Sequence, residues 1–269
     1  MTKFDVVIGN PPYKQGLHLK FLDIALDISK EYVVFLHPSA IYLNKQPTRK
    51  SNDTIKVKNK LKNHIKSIDI FESKKYFPEI GVIVPLSISF IDKKHTQETF
   101  TLYDSLKNKT FEYSDIDNIH LFGNSKEFLS LRKKINSEDN LINHKNEENG
   151  NYYVNIPMIR GGLEQGKYFS DAFYTFFTKN IKVESKGGNF FFSFPSKKEA
   201  ENFIDYMKTK FARLCLALYK ISFHQEGYEM LGIPWMNFKE EWTDKKLFNH
   251  FKLSIDEINF IEDNIPDYY

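Results

Sequence analysis

The chain has 269 residues, of which 41% are hydrophobic, 16% aromatic and 27% charged, with a formal net charge of +3. This composition fits one large domain or two small ones with an apolar core, and it excludes a chain that is disordered throughout. The single cysteine, Cys215, excludes an intrachain disulfide, and the lack of zinc-spaced Cys/His clusters, of a signal peptide and of an apolar run of about 18 residues predicts a cytoplasmic protein without metal or membrane span.

The first predicted strand, Phe4–Gly9, runs directly into Asn10-Pro11-Pro12-Tyr13. Two consecutive prolines fix their own φ angles and keep the preceding residue extended, so the Asn10 side chain and the Pro11 carbonyl are held at the end of the strand. An amide oxygen beside a backbone carbonyl can accept both hydrogens of a planar amino group, and the Tyr13 ring offers a face for a flat base. The pattern therefore predicts a site for an exocyclic amino group. The alternative is a diproline turn that closes a buried strand.

The next elements predict a βαβ unit. Leu17–Lys30 has the apolar spacing of a helix, and Tyr32–His37 is a short apolar run typical of a buried parallel strand. A basic segment follows, then a short strand at Ser67–Phe71. The run Gly81–Ile91 is expected to lie antiparallel to its neighbour.

The basic segment from Lys45 to Lys66 holds eight Lys or Arg residues and one acid, a local excess of +7. Such an excess close to the diproline loop would attract a phosphate backbone. A solvated helix face with Ile55, Leu61 and Ile65 as its buried stripe explains it equally well. The candidate contacts with such a nucleic-acid backbone are Lys45, Arg49, Lys50, Lys56, Lys58, Lys60 and Lys62.

Beyond residue 95 the chain changes character. Residues 96–150 are polar and are predicted to form an insertion or linker with one helix at Lys126–Ile135. Residues 151–269 are rich in aromatic side chains interleaved with lysines, which predicts core strands or, alternatively, a face for nucleic acid. A capping box at Ser196 predicts one long amphipathic helix that extends to Leu218, and a second box at Ser254 predicts a further helix.

The stretch Phe4–Tyr13 resembles the Asp/Asn-Pro-Pro-Tyr/Phe/Trp signature of S-adenosylmethionine-dependent amino-methyltransferases, and among them the adenine-specific DNA methyltransferases of type II restriction-modification systems. The resemblance implies that Asn10 and Pro11 accept hydrogen bonds from the amino group of a flipped adenine, that Pro12 belongs to the same catalytic motif, and that Tyr13 stacks on the base.

Two further stretches carry the resemblance. Tyr76-Phe77-Pro78 looks like the family's second aromatic motif, so Phe77 is a second stacking candidate, with an ordinary strand-edge aromatic as the alternative. The ending around Trp242-Thr243-Asp244 resembles that of type II methylases that fuse catalysis and recognition. The implied fold is α/β: residues 1–95 form the second half of a Rossmann-like methyltransferase sheet, and residues 151–269 form a mixed α+β recognition region.

The resemblance is incomplete at the cofactor site. In this family a Gly-rich turn after a first strand precedes the catalytic strand, whereas only three residues precede Phe4 here. The S-adenosylmethionine site is therefore expected to be incomplete, with Phe21 as a candidate cofactor contact. Val6-Val7-Ile8 would then be an unpaired apolar edge, and such edges are association sites. We expect a second polypeptide to supply the cofactor half, while an aberrant gene start or a degenerate remnant fits equally well.

The predicted function is that of a DNA adenine amino-methyltransferase component acting on double-stranded DNA. One alternative is methylation of an RNA base or of a glutamine amide in a release factor, because both use the same two acceptors. Another is a non-catalytic DNA-binding or regulatory module. His18 and His37 lie near the diproline loop, but a lone histidine is more often structural, and we expect that role for both.

Overall fold

The computed structural model describes residues 3–43, 52–79, 85–95, 98–105, 108–119, 125–156, 181–183, 190–219, 230, 232–265 and 267. These residues fall into two compact units, one within Met1–Asn124 and the other within Ser125–Tyr269. The first unit therefore continues past residue 95, where we expected the catalytic half to end.

The first unit contains a six-stranded mixed sheet. Its strands are β1 (Phe4–Gly9), β2 (Ser29–Pro38), β3 (Ile65–Glu72), β4 (Pro85–Asp92), β5 (Phe100–Asp104) and β6 (Lys109–Tyr113). They are arranged in the order β1-β2-β4-β3-β5-β6. The β1–β2 and β3–β5 pairs are parallel, and β4 is antiparallel to both of its neighbours. The predicted α/β class and the antiparallel orientation of β4 are confirmed.

The helices of this unit are α1 (Leu17–Ile28), α2 (Ala40–Leu43), α3 (Asn52–Leu61) and α4 (Ser73–Tyr76). Helix α1 ends two residues earlier than predicted, because Ser29 is extended and begins β2. In α3 the prediction of a buried stripe is wrong at Ile55, which is 43% exposed, whereas Leu61 is buried. Ile65 is also buried, but it lies in β3.

One face of the sheet is much better covered than the other. On β2, the side chains of Val33, Phe35 and His37 are buried, whereas those of Tyr32 and its alternate neighbours are only half-buried. Alternate residues of a strand point to opposite faces, and paired residues share a face. The half-buried residues and their partners on β1 and β4 therefore form one surface, called here the open face: Val6, Ile8, Tyr32, Val34, Leu36, Ile88 and Phe90.

The second unit contains a three-stranded antiparallel sheet and a set of helices. The strands are β7 (Tyr152–Ile156), β8 (Ile181–Val183) and β9 (Phe190–Phe194), in the order β8-β7-β9. The helices are α5 (Lys126–Ile135), α6 (Lys197–Lys208), α7 (Lys210–Tyr219), α8 (Asp244–His250) and α9 (Ile255–Asn264). Phe192, Phe194 and Phe203 form part of its buried aromatic core, and Cys215 is buried as well.

Two predictions about this region are corrected. Residues 96–150 do not form a separate linker: β5 and β6 extend the first sheet, and Leu141 is fully buried in the second unit. The long helix expected from Ser196 to Leu218 is interrupted at Thr209, which is extended. The two capping residues Ser196 and Ser254 accept hydrogen bonds as expected, and the reciprocal capping box is complete at Ser254.

The interruption at Thr209 has a physical cause. Its hydroxyl oxygen accepts a hydrogen bond from the Ala212 N–H over 3.1 Å. The Asp244 carboxylate accepts two more, from the Lys210 N–H over 3.0 Å and from the Phe211 N–H over 2.8 Å. Three N–H groups at the start of α7 are thus satisfied by side chains, as at any capped helix start.

Candidate active site

The diproline loop leaves β1 at a fixed point. A Cβ atom on Gly9 would lie 2.3 Å from the Phe35 ring, so glycine lets the end of β1 lie directly against that ring. Pro11 is buried, whereas Asn10 and Pro12 are exposed. Each proline fixes its own φ angle, and Pro11 keeps the preceding Asn10 extended. Asn10 is therefore presented to solvent from a rigid support.

The Tyr13 hydroxyl donates a hydrogen bond to Asn10 Oδ1 over 2.8 Å. An amide oxygen has two lone pairs, so this bond uses one of the two acceptor positions. Tyr13 is half-buried, and burial raises the pKa of its hydroxyl. The hydroxyl is therefore protonated at neutral pH and acts as the donor.

A pair of histidines lies behind Tyr13. The Tyr13 and His18 rings meet edge to face, with centroids 6.1 Å apart and an interplanar angle of 88°. His18 in turn lies parallel to His37, at 6.5 Å and 8°. The pKa of His18 lies below its ordinary value because burial lowers it by more than a backbone hydrogen bond with Tyr13 raises it. We conclude that the His18 ring is neutral at pH 7.

His37 is anchored by a buried hydrogen-bond chain. Its Nε2 lies 2.8 Å from Ser89 Oγ, which lies 2.6 Å from the Tyr42 hydroxyl, and its Nδ1 lies 3.1 Å from the Pro38 carbonyl oxygen. Burial lowers the pKa of His37 to about 4, so the ring is neutral. Because a carbonyl oxygen only accepts, Nδ1 donates to Pro38, Nε2 accepts from Ser89, and Ser89 accepts from Tyr42. The expected structural role of His37 agrees with these contacts.

Ser89 and Tyr42 were not identified from the sequence. They are separated from each other by 47 positions and Ser89 is 52 positions from His37. Serine and tyrosine carry no local pattern that distinguishes a buried network from a surface position. Such a network could be predicted only if the β2–β4 register were known, because that register sets which β4 residues lie beside His37.

The two remaining aromatic candidates lie on different elements. Phe77 is half-buried directly after α4, and its backbone N–H donates to the Ser73 carbonyl over 2.8 Å. Among the ring contacts of the described residues, none joins Phe77 to Tyr13. Phe21 is exposed on α1, between the exposed side chains of Leu17 and Ile24. The stacking role of Phe77 and the cofactor role of Phe21 stay predictions.

The lysines of α3 and the adjoining turn pair with carboxylates. Lys56 lies 2.6 Å from Asp23, and Lys60 lies 2.5 Å from Asp23 and 2.6 Å from Asp27. Lys58, only 4% exposed, lies 2.7 Å from Asp117, and Lys62 lies 3.7 Å from the same carboxylate.

These ion pairs change the expected electrostatics of the basic segment. The carboxylates offset much of the charge of the four lysines, and a phosphate would have to compete with them. Buried Lys58 is not positioned to reach a phosphate, so we remove it from the candidate DNA contacts. Lys45, Arg49 and Lys50 lie outside the described residues.

Strand β1 is the first strand of the sheet, and within the described residues its outer side has no strand partner. Phe4, Val6 and Ile8 are exposed along it, and Ile8 is 77% exposed. Leu17, Phe21 and Ile24, called here the α1 stripe, are also exposed. Native edge strands are commonly protected by charges, prolines or bulges. Strand β1 carries one charge, Asp5, and an irregular register with β2 between Phe4 and Val6, while its other exposed side chains are apolar.

Two features are absent from the described residues. No group of three His, Cys, Asp or Glu side chains there is arranged to hold a metal ion. No helix in that part of the chain combines the length and apolarity needed to cross a bilayer.

No protein-family model matches the chain, and no curated protein matches it. Similar solved structures include the type IIG restriction endonuclease BpuSI, with 13% identity and a TM-score of 0.33 over 61% of this chain and 25% of that one. A modification subunit assigned to a type I restriction enzyme of Vibrio vulnificus YJ016 has 14% identity and a TM-score of 0.29 over 38% and 25% of the two chains.

A chain of a type I R-M system has 14% identity and a TM-score of 0.29 over 50% of this chain and 29% of that one. This chain thus spans between a quarter and three tenths of the length of these proteins. At such values the likenesses do not assign the chain to a family.

Proposed function

We propose that this chain is the catalytic and DNA-recognition component of an adenine amino-methyltransferase, completed by a partner polypeptide that carries the S-adenosylmethionine site. The observation that carries the proposal is the exposed Asn10 amide oxygen, held by the diproline corner and already accepting a hydrogen bond from Tyr13 over 2.8 Å. Because Asn10 is exposed, a donor from solvent can approach this oxygen. The amino group of an extruded adenine is such a donor.

The chemistry required of this chain is mainly positional. Methyl transfer from a sulfonium requires the amino nitrogen about 3 Å from the methyl group, in line with the leaving sulfur. Asn10 would accept one amino hydrogen and the Tyr13 ring would hold the base plane. The Pro11 carbonyl would accept the second hydrogen once the base displaces what covers this buried residue. Hydrogen bonds that orient the amino group also help the nitrogen lone pair to attack.

The described residues do not fit the cofactor by themselves. The connection from β1 to α1 is the diproline loop and a 3-10 turn at Lys14–Gly16, and within the described part no Gly-rich turn joins a strand to a helix as the family's cofactor site requires. When bound by the partner, S-adenosylmethionine would supply an electrophilic methyl group. Within this chain, exposed Phe21 stays the candidate contact with it.

The apolar surface around β1 supports the need for a partner. Within the described part of the chain the outer edge of β1 has no strand partner, and exposed apolar side chains flank it on the open face and on the α1 stripe. Exposed apolar areas of several hundred Å² on one protein commonly mark interaction sites. We propose that a strand of the partner pairs with β1 and that its apolar side chains cover this surface.

The experiment is to purify the tagged chain from its native cell and identify what accompanies it by mass spectrometry. The expected companion has a Gly-rich cofactor motif, and the complex transfers methyl groups from S-adenosylmethionine to adenine in duplex DNA. Parallel incubations with RNA and with a release factor test the other substrates. Methyl transfer to RNA or to the release factor, with none to DNA, would contradict a DNA substrate.

A second candidate is a non-catalytic DNA-binding module. The lack of a Gly-rich turn in the described residues favours it, since a module that only binds DNA needs no cofactor. The same purification separates the two. The chain is a binding module if it binds DNA by itself and no co-purified protein has a Gly-rich cofactor motif. In that case adding the co-purified proteins should produce no methyl transfer.

A further inference from the structure

The Tyr13 hydroxyl occupies the oxygen that the proposed function assigns to the substrate. The 2.8 Å separation of Tyr13 Oη and Asn10 Oδ1 is that of a full hydrogen bond. An adenine amino nitrogen would approach the same oxygen to within about 2.7–3.2 Å. In the protein without a base, one acceptor position of Asn10 is therefore filled by a group of the protein itself.

The two roles of Tyr13 exclude each other in one ring position. A ring that stacks on a base lies parallel to the base plane and above it. Its hydroxyl is then displaced from that plane, whereas the oxygen that accepts from the amino group lies near the plane. Stacking on an adenine bound to Asn10 therefore requires the hydroxyl to leave Asn10.

The ring has a defined resting position because it is supported from inside the protein. His18 meets it edge to face at 6.1 Å and 88°, and His18 lies parallel to His37. His37 is held by Ser89 and by the Pro38 carbonyl. On the other side Asn10 is exposed, so a ligand can reach the Tyr13–Asn10 bond from solvent.

We propose that Tyr13 is a placeholder that keeps the Asn10 acceptor occupied until a base enters, and that it then exchanges this hydrogen bond for a stacking contact. In the resting state the hydroxyl donates to Asn10 Oδ1. In the loaded state the amino group donates to Asn10 and the Tyr13 ring covers the base. The hydroxyl thus reduces the affinity for any stacked base by the strength of one exposed hydrogen bond, a factor of about two to ten.

The placeholder has a specific signature in a double-mutant cycle. Tyr13→Phe keeps the ring and removes the donor, so binding should become about two- to tenfold tighter. In the Asn10→Ala background there is no bond to break, so Tyr13→Phe should change nothing. Tyr13→Ala, which removes the ring, should weaken binding in either background.

The binding probe is a single-stranded thymine oligonucleotide with one central adenine, compared with the same strand carrying unsubstituted purine, which lacks the amino group. Single strands avoid the cost of unpairing the target base. Because the placeholder role rests on the proposed adenine site, the adenine-over-purine preference is measured in the same series. We expect this preference in the wild type and in Tyr13→Phe, and its loss in Asn10→Ala.

The outcomes separate the two ideas. If the adenine preference is present but Tyr13→Phe leaves affinity unchanged or weakens it, the placeholder is overturned and the adenine site stands. If the wild type shows no adenine preference, the proposed site is wrong and the placeholder fails with it.

A readout on the free protein shows whether the resting contact exists. With 3-fluorotyrosine at position 13, the fluorine resonance should shift on Asn10→Ala and also on His18→Gln. Both variants should keep the far-UV circular dichroism spectrum of the folded protein. A resonance unaffected by Asn10→Ala would overturn the placeholder whatever the binding results.

Discussion

Gly9 lies directly against the ring of Phe35, so close that a Cβ on Gly9 would be 2.3 Å from the ring. Phe35 is buried and pairs with Gly9 in the β1–β2 register. The end of β1, from which the diproline loop departs, is therefore positioned by the aromatic core of the sheet. A glycine at this position is a packing requirement rather than a turn signal.

Gly9→Ala should destabilise the first unit by about 1–3 kcal/mol, because the added methyl group overpacks a filled position. The measurement is the loss of amide protection of β1 and β2 in hydrogen exchange. Phe35→Leu should relieve the clash, so the double variant should be more stable than the sum of the two single effects predicts. Strict additivity would contradict the contact.

Ile8→Lys should abolish capture of the partner while leaving the chain stable. Ile8 is 77% exposed on the outer strand, so its replacement should change the free energy of unfolding by no more than about 0.5 kcal/mol. A lysine buried in the partner interface should weaken association by at least about tenfold. The matched control is Ile255→Lys on α9, where the isoleucine is 68% exposed.

Co-purification of the two variants under identical conditions gives the result. Equal recovery of the companion with Ile8→Lys and with Ile255→Lys would show that the β1 edge is not the docking surface.

The first unit should lose stability as the pH falls below 6.5. Burial lowers the pKa of His37 from 6.5 to about 4. Between these two pH values the histidine is protonated in the unfolded chain and neutral in the folded chain. The stabilising effect is complete above pH 6.5 and is lost as the pH falls towards 4, to a total of about 3 kcal/mol. Protection of the β2 and β4 amides, corrected for the intrinsic exchange rate, should follow this course.

His37→Gln should remove that part of the pH dependence, even if it lowers stability at pH 7.5. The control is His95→Gln, since His95 contacts the Thr99 carbonyl oxygen in a turn of the same unit. An unchanged slope in His37→Gln would mean that another group causes the pH dependence.

Asp244→Ala should destabilise the second unit by about 1–3 kcal/mol, because it leaves the Lys210 and Phe211 N–H groups without their carboxylate acceptor. The chain has two tryptophans, Trp235 and Trp242, and both lie in this unit, so their fluorescence during urea unfolding reports on it alone. Asp256→Ala, an exposed first-turn acid of α9, should cost no more than about 0.5 kcal/mol. Similar losses in both variants would show that the Asp244 cap has no special weight.

The sequence predicted those elements whose signals are local. Strand β1 and helix α5 have the predicted bounds, because an apolar run that ends at a diproline and a polar segment with one helical stretch are both signals within a few neighbouring residues. The capping box at Ser254 was found for the same reason.

The features that were missed depend on distant residues. The break at Thr209 is stabilised by Asp244, 35 positions further along the chain, so the apolar spacing alone favoured one continuous helix. The charge of the α3 lysines is offset by Asp23, Asp27 and Asp117, which the local sequence does not bring together. The open face depends on the β1–β2 and β2–β4 registers, and neither can be read from composition.

The most direct test of the central claim is single-turnover methyl transfer to adenine in duplex DNA by the purified complex, with Asn10→Ala compared with the wild type. We expect DNA affinity to change by less than about threefold, because sequence-independent affinity comes mainly from phosphate contacts. We expect the transfer rate to fall by at least about 100-fold, because the amino group loses its oriented acceptor. Transfer by Asn10→Ala at the wild-type rate would contradict the assignment of the diproline loop.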